Sequence, residues 1–477
     1  MDLSSLLSVG TARSIGEAIA ARKVTSTDVT AWYLQRIEQF NAGAQGLNCV
    51  RSVSPLALEQ AGFADADLAA GRWRGPLHGV PFLVKDNVFT ADGSAASAGC
   101  KALAGFIPPY EAALVKRLRD AGAVLLGKTN LTEFADFVSD TMPTEFSGAS
   151  GVVRHPFGLR YGRGLGSSVG SAAAVAARLC AFAIGSETQN SIQAPAIHTS
   201  IVGFKPSVGR VSRHGVIPLV PSQDSPGPLT ITVDDAMLVY QAMAGPDAND
   251  PATLGEFAQC PHVGGSIRGM RIGVPRKYMA DVVGAEAGRA FERVLSSLAD
   301  AGALIIDPCD LPAARQLSEV RSSVFRTEFK ESLNSLLREH HPCGIASLQD
   351  IIEWNRVHPE AIPYGQSLLE AANATSGTCA EHYIADRQRD IGLSLEEGIR
   401  GALQAGAADV LLAPMAVAAK CTGKAGAPVV AVAVGEDEVG LPFGVTVFAE
   451  PGSDDLVLHA AAAIEKVVGR RITPSLG

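Results

Sequence analysis

Apolar positions along the chain change their spacing several times, and each change predicts a different kind of element. Over about the first 75 residues they recur at helical intervals: Ser26 can cap a helix whose Val29, Trp32, Tyr33, Ile37 and Phe40 share one face, and Ser54-Pro55 opens another. From Gly79 the pattern becomes short apolar runs bounded by Gly and Pro, namely GVPFLV, AGAVLLG, CAFAIG and IVGF. Helix-like segments such as EAALVKRLRDAG and SAAAVAARL separate these runs. Strands that alternate with helices predict an α/β fold, with a large mixed, mostly parallel central sheet covered by helices on both faces.

From about Leu311 to Gly406 the strand signal gives way to a helical, more charged stretch that includes VFRTEFKESLNSLLREHH and SLQDIIEWNRVH. ADVLLAPM and PVVAVAV then restore strands, and AAAAIEKVVGR predicts a closing helix. No internal repeat, low-complexity tract or linker divides the chain. Residues 1–477 therefore read as one domain: an N-terminal helical layer (1–75), a core (76–232), a helical insertion (311–406) near the substrate pocket, and a return to the core sheet (407–477).

Composition narrows the functional classes. Hydrophobic residues make up 47% and charged residues 19%, which suits a well-buried globular core and excludes a disordered chain. The net charge of -9, without a long Lys/Arg run, argues against a nucleic-acid or anionic membrane partner. The eight cysteines, at 49, 100, 180, 260, 309, 343, 379 and 421, are far apart and form no CxxC pair, so they read as reduced thiols and not as zinc ligands. The N-terminal MDLSSLLSVGTARSIGEA lacks a basic and apolar signal pattern, and no stretch approaches the ~20 apolar residues of a membrane span. A soluble, cytoplasmic protein is expected.

Small residues crowd into GRGLGSSVGSAAAVAARLCAFAIGSETQNSIQAPA, residues 162–196. Such crowding lets backbone groups approach a ligand or one another closely. Taken alone, the segment fits a GxGxxG-like nucleotide loop or a turn that merely packs a helix tightly on a strand.

The surrounding residues are more specific. Gly79-Val80-Pro81-Phe82-Leu83-Val84-Lys85-Asp86 is followed by GKTNLTEF at 127–134, by Gly166-Ser167-Ser168-Val169-Gly170-Ser171-Ala172, and by Gly185-Ser186-Glu187-Thr188-Gln189-Asn190-Ser191-Ile192-Gln193-Ala194-Pro195-Ala196. VGFKPSVGRVSRHGVIPLVPSQDSPGP completes the series at 202–228, and Ser167 and Ser191 stand 24 residues apart. In this order and spacing the chain resembles the amidase signature family from about residue 75 to 232, with weaker similarity toward both ends. SQDSPGP (222–228), FKESLN (329–334) and SLQDIIEWNRVHPEAIPYGQSLLEAA (347–372) are most similar to its bacterial peptide amidase branch.

The resemblance implies the amidase signature fold and a serine amidohydrolase with Ser191 as nucleophile, Ser167 as a bridging serine with a cis peptide bond, and Lys85 as base. It also implies an oxyanion hole from the backbone of Thr188, Gln189, Asn190 and Ser191, with Ser168 and Gln193 as substrate-binding residues. Chemistry explains why such groups recur together. A serine hydroxyl is a poor nucleophile at neutral pH and an amide a poor electrophile, so the reaction needs a base at the hydroxyl and donors at the developing oxyanion. A lysine serves as base only when desolvation or its neighbours lower its pKa from about 10.4. One Lys85–Ser167 relay can then act as base toward Ser191 and afterwards as acid toward the departing amine.

Three positions depart from the family pattern. Gln189 and Asn190 replace the usual glycines, a change that strains the loop if it needs φ > 0, less so for Asn than for Gln. Gln193 stands where many relatives carry Arg, which removes a bidentate carboxylate clamp and predicts a neutral substrate. Glu187 replaces the commoner Asp and is expected to brace the loop. His78, His155, His198 and His214 are expected to serve packing or surface roles.

The expected reaction is hydrolysis of a neutral, fairly apolar amide through an acyl-enzyme. Aryl amides, carboxamides, carbamates and esters are candidate substrates, with water the only other reactant and no metal or organic cofactor. Two alternatives remain at this point: the A subunit of a glutaminyl-tRNA amidotransferase, and a binding protein on an inactivated amidase fold. Either a monomer or a homodimer fits.

Overall fold

Pro81–Lys85 (PFLVK) is buried at all five positions, as expected of an apolar run that helices cover on both faces. Its two neighbours, Val124–Thr129 and Phe182–Glu187, are equally buried and run parallel to it. Helix Ala113–Asp120 leads into the first of these, burying Leu114, Val115 and Leu118 and leaving its basic residues toward solvent. Helix Val169–Ala176 (VGSAAAVA) precedes the second and is buried at every position, which only small side chains permit at such close packing.

These elements come from a computed structural model that describes residues 3–43, 45–162, 164–255, 266–279 and 283–476. In chain order the described strands are β1 Val50–Val53, β2 Pro81–Lys85, β3 Val124–Thr129, β4 Phe146–Ser147, β5 Gly151–Val152, β6 Phe182–Glu187 and β7 Val202–Lys205. Then follow β8 Ser225–Thr230, β9 Arg271–Gly273, β10 Leu304–Ile306, β11 Val410–Pro414, β12 Val429–Glu436 and β13 Pro442–Phe448. Eleven form one sheet in the order β1-β3-β2-β6-β8-β7-β12-β13-β11-β9-β10, and β4 and β5 make a separate hairpin.

The sheet is mixed and carries helices on both faces. Parallel pairing holds in two blocks, β3-β2-β6 and β11-β9-β10, and the strands between them are antiparallel. The antiparallel centre arises because β12 and β13 are joined by a short turn, and β8 returns between β6 and β7.

Local boundaries differ from the sequence expectation in three places. Thr25, not Ser26, caps helix Ser26–Asn41 by accepting from the Asp28 N–H, and the Ser26 hydroxyl instead donates to the Gly79 carbonyl at 2.9 Å. The helix after Ser54-Pro55 starts at Ala57. The N-terminal layer also contributes β1, an edge strand whose half-exposed Val-Arg-Ser-Val sequence carries little apolar signal.

The stretch 314–406 is built of helices. It grips the core at two points that matter for the site. Glu328, on helix Val324–His340, accepts from the Ser222 N–H (2.8 Å) and the Tyr383 hydroxyl (2.8 Å), tying the 213–226 loop from outside. Asp390, on helix Glu381–Ile391, forms a buried ion pair with Lys424 of helix Ala419–Ala425. The loop after β3 is held in the same way, through Ser139 Oγ on the Tyr364 carbonyl at 2.6 Å.

Seven described cysteines are free thiols, and Cys260 lies outside the described residues. No helix among the described residues is long and apolar enough to cross a membrane.

A buried charge left without its partner is expensive, so Asp390→Ala should destabilise the fold by about 3–5 kcal/mol in chemical denaturation. An effect under about 1 kcal/mol would mean that Lys424 reaches water.

Candidate active site

β2 and β6 pair in register with Val84 opposite Ile184, so their carboxyl ends bring Lys85 and Ser186 together. Clefts at the carboxyl ends of parallel strands are where α/β folds assemble ligand sites. Lys85 is fully buried. Its Nζ lies 2.7 Å from Ser167 Oγ, 3.0 Å from Ser168 Oγ and 3.1 Å from both the carbonyl and the hydroxyl oxygen of Ser186. All four contacts are to neutral oxygens. Burial therefore pulls the amine from the ordinary 10.5 down to about 7, against the through-space pull of Asp224, Glu187 and Asp136.

Ser167 and Ser168 occupy the turn before helix Val169–Ala176. The Gly166–Ser167 peptide bond is cis. A Cβ on Gly166 would collide with Thr132 Oγ1, so the turn passes where only glycine fits. The Ser167 carbonyl accepts from the Thr132 N–H at 3.1 Å.

Ser191 lies on the connection between β6 and helix Gln193–His198, 4% exposed. The Ser168 N–H donates to the Ser191 carbonyl at 3.1 Å, which sets the two serine loops side by side. The hydroxyls of Ser167 and Ser191, both described, share no hydrogen bond.

The loop that carries Ser191 is braced from within. Buried Glu187 accepts from the N–H groups of Ile192 (2.6 Å) and Gln193 (2.9 Å) and from the Gln193 side-chain amide. Burial raises its pKa, and Lys205 opposes the shift. Among the described residues, no acceptor takes the backbone N–H of Gln189, Asn190 or Ser191, which leaves these donors for a ligand.

The Thr188 side-chain hydroxyl bonds Asp224 Oδ1 at 2.5 Å. None of residues 188–191 has a positive φ, so Gln189 and Asn190 fit the loop without left-handed strain. Their side chains bond outward: Asn190 Nδ2 donates to the Gly164 carbonyl, and Gln189 Nε2 donates to Gln223 Oε1 at 3.2 Å.

Two residues expected to touch substrate are fully buried. Gln193 is fully buried behind the loop, donating to Glu187 and to the Gln189 carbonyl (2.9 Å). Ser168 is also fully buried; its hydroxyl donates to the Ser186 carbonyl (3.2 Å) and accepts from Lys85.

Several contributors were not singled out from sequence. Ser186 and Asn87 complete the lysine's surroundings, with Asn87 Nδ2 2.9 Å from Ser186 Oγ. Gly423 supports the loop from behind, since a Cβ there would meet the Thr188 carbonyl at 2.5 Å and Gln189 Cγ at 2.6 Å. Asn87 could have been noticed as a polar residue two positions past the lysine in a buried run. Gly423 carried no sequence signal.

A pocket of about 200 Å³ opens against Asn87, Ser186 and Thr188, with an apolar wall that includes Val216, Ile217 and Leu219. Arg213 lines it too, bonded through two guanidinium nitrogens to Asp250. Of the four histidines near the signature, burial holds His155 and His198 near pKa 4 and hence uncharged. His78 bonds the Ala64 carbonyl and His214 stacks on Tyr110, so all four have packing partners or a buried setting. No group of three or more His, Cys, Asp or Glu residues that could hold a metal stands together among the described residues.

Comparison with known proteins places this geometry. The Amidase family profile matches residues 28–425. The chain is 33% identical to a putative amidase of Schizosaccharomyces pombe over 492 residues, covering 94% of this chain and 84% of that protein. It is also 33% identical to the A subunit of the glutamyl-tRNA(Gln) amidotransferase of Cutibacterium acnes, over 96% of this chain and 95% of that one. The crystal structure of native peptide amidase from Stenotrophomonas maltophilia superposes with a TM-score of 0.89 at 36% identity, covering 98% of each chain. The chain belongs to the amidase family. It is an amidase-family hydrolase, structurally close to peptide amidase.

Because a methyl group at 423 must displace the Thr188–Gln189 backbone, Gly423→Ala should lower kcat by about tenfold to a hundredfold, with a stability loss of about 1–3 kcal/mol. Unchanged steady-state kinetics would show that the loop does not rest on that helix.

Proposed function

We propose that this protein hydrolyses neutral, fairly apolar amides through an acyl-enzyme on Ser191, with Ser167 and Lys85 carrying the proton. The observation behind the proposal is the buried Lys85 amine 2.7 Å from Ser167, in surroundings that favour its uncharged form.

In the first step the Ser191 Oγ–H bond breaks as Oγ bonds to the substrate carbonyl carbon. The proton passes to Ser167, and the Ser167 proton passes to the Lys85 lone pair. The carbonyl oxygen takes the negative charge, facing the free N–H groups of the 189–191 segment. The C–N bond then breaks while the same relay, run backwards, protonates the leaving nitrogen. Water repeats the sequence on the ester to release the acid and restore Ser191. The Ser167–Ser191 contact is the one the substrate complex must tighten, as hydroxyl relays commonly do on binding.

Two features favour a neutral, apolar substrate. The adjacent pocket has an apolar stretch, Val216, Ile217, Pro218 and Leu219, beside polar residues that include Asp224, and its arginine is already charge-paired with Asp250. That arginine is thus not free to clamp a carboxylate. A panel of C-terminally amidated peptides, simple carboxamides, p-nitroanilides, aryl carbamates and esters, each with a carboxylate-bearing counterpart, tests the class. The neutral members should give the higher kcat/KM; a preference for the carboxylates would overturn the neutral-substrate reading.

Ser191→Ala and Lys85→Ala should each lower kcat by about 10⁴-fold or more. Because Lys85 must be uncharged to accept a proton, and it is so only above about pH 7, kcat/KM should fall about tenfold per pH unit below that point and level off above it. A flat profile between pH 5 and 8 would remove Lys85 from the role of base.

A further inference from the structure

Lys85 is held by Ser186, and Ser186 is held by a residue with no part in the relay. Asn87 is buried, 4% exposed, just beyond the end of β2. Its Nδ2 donates to Ser186 Oγ at 2.9 Å, and Ser186 Oγ lies 3.1 Å from Lys85 Nζ. Asn87 Oδ1 is buried without a hydrogen-bond partner among the described residues. The backbone at this position is held, since the Asn87 carbonyl accepts from the Ile217 N–H at 2.7 Å. We propose that Asn87 is a positioning residue for the lysine: by donating into the Ser186 hydroxyl it keeps Lys85 in the uncharged form that can take the proton of Ser167. The inference rests on the relay proposed above.

The argument is one of hydrogen-bond capacity. A serine hydroxyl has two lone pairs and one proton. Asn87 occupies one lone pair, so Ser186 Oγ can offer the lysine at most one. A protonated Lys85 has three N–H groups to satisfy, and its remaining acceptors are Ser167 Oγ, Ser168 Oγ and the Ser186 carbonyl.

Ser168 Oγ is itself partly used, accepting weakly from the Ser186 N–H at 3.3 Å. The ammonium therefore finds three of its four acceptors shared, Ser167 Oγ being the exception, and the positive end of the Asn87 amide dipole faces it across a single hydroxyl. A neutral amine needs only two acceptors and leaves its lone pair for Ser167, the nearest neighbour. The carboxylates that favour the ammonium, Asp224, Glu187 and Asp136, act through space and make none of these four contacts.

Replacement by aspartate reverses the arrangement. A carboxylate at 87 cannot donate, so the Ser186 proton turns toward it and both Ser186 lone pairs become available to an ammonium. The test is the pH dependence of kcat/KM for wild type, Asn87→Asp and Asn87→Ala, with thermal melting to check folding. Asn87→Asp should move the acid limb up by about one pH unit or more, a loss of about tenfold at pH 6, with the high-pH plateau of kcat much less affected.

Asn87→Ala, which removes the donor without adding charge, should move the limb in the same direction by less. If Asn87→Asp does not fold, Asn87→Ala decides the matter by the same limb. A limb that stays in place in the folded variant overturns the inference. So does an equal loss at every pH, which marks a merely structural role, and so does an Asn87→Asp variant that matches wild type, which places Oδ1 on Ser186 instead.

Failure of the relay itself looks different. In that case wild type lacks an acid limb near pH 7, or Lys85→Ala keeps its activity, whatever is done at Asn87.

Discussion

A primary amine sealed among neutral oxygens is the constraint from which the rest of the site follows. Lys85 has no carboxylate in contact, so its charge is opposed by burial and its four neighbours are two hydroxyls of the 166–168 turn and the two oxygens of Ser186. Those neighbours can converge only because β2 and β6 are adjacent and parallel and because the following turns use glycine and serine where a side chain would collide. The sheet centre, the buried small-residue helix and the two serine loops serve the same end: a buried place for one nitrogen whose charged form burial disfavours.

Around that centre the protein adds supports of unequal kind. Glu187 is a buried acid that holds the loop through three hydrogen bonds. Gln189 and Asn190 replace glycines without forcing the backbone, since their φ values stay negative, and they tie the loop to Gln223 and Gly164. The helical insertion acts from a distance: Glu328 fixes the loop that walls the adjacent pocket, and the Asp390–Lys424 pair seats the helix bearing Gly423.

Much of this was legible in the sequence, and the reasons for what was not are physical. Short apolar runs announced β2, β3 and β6 because those strands are buried on both faces; β1, half-exposed at the sheet edge, left no such trace. Lys85, Ser167 and Ser191 could be singled out because their spacing and neighbours form a recognisable set. The directions of side chains could not be read that way. Gln193 and Ser168 lie on the quoted motifs and yet bond inward, and Gly423, more than 200 residues past Ser191, meets the loop only through the fold. Asn87 is visible as a letter beside the lysine, whereas its bond to Ser186 is a fact of three dimensions.

The central claim is that Lys85 loses its proton near neutrality, and NMR can follow that proton directly. In protein labelled with 15N at the lysine side chains, the Lys85 Nζ resonance, assigned by its loss in Lys85→Ala, should titrate with a midpoint near pH 7, below the buried Lys128 and Lys205, which burial lowers to about 8. A Lys85 resonance that keeps its ammonium shift to pH 10 would contradict the account.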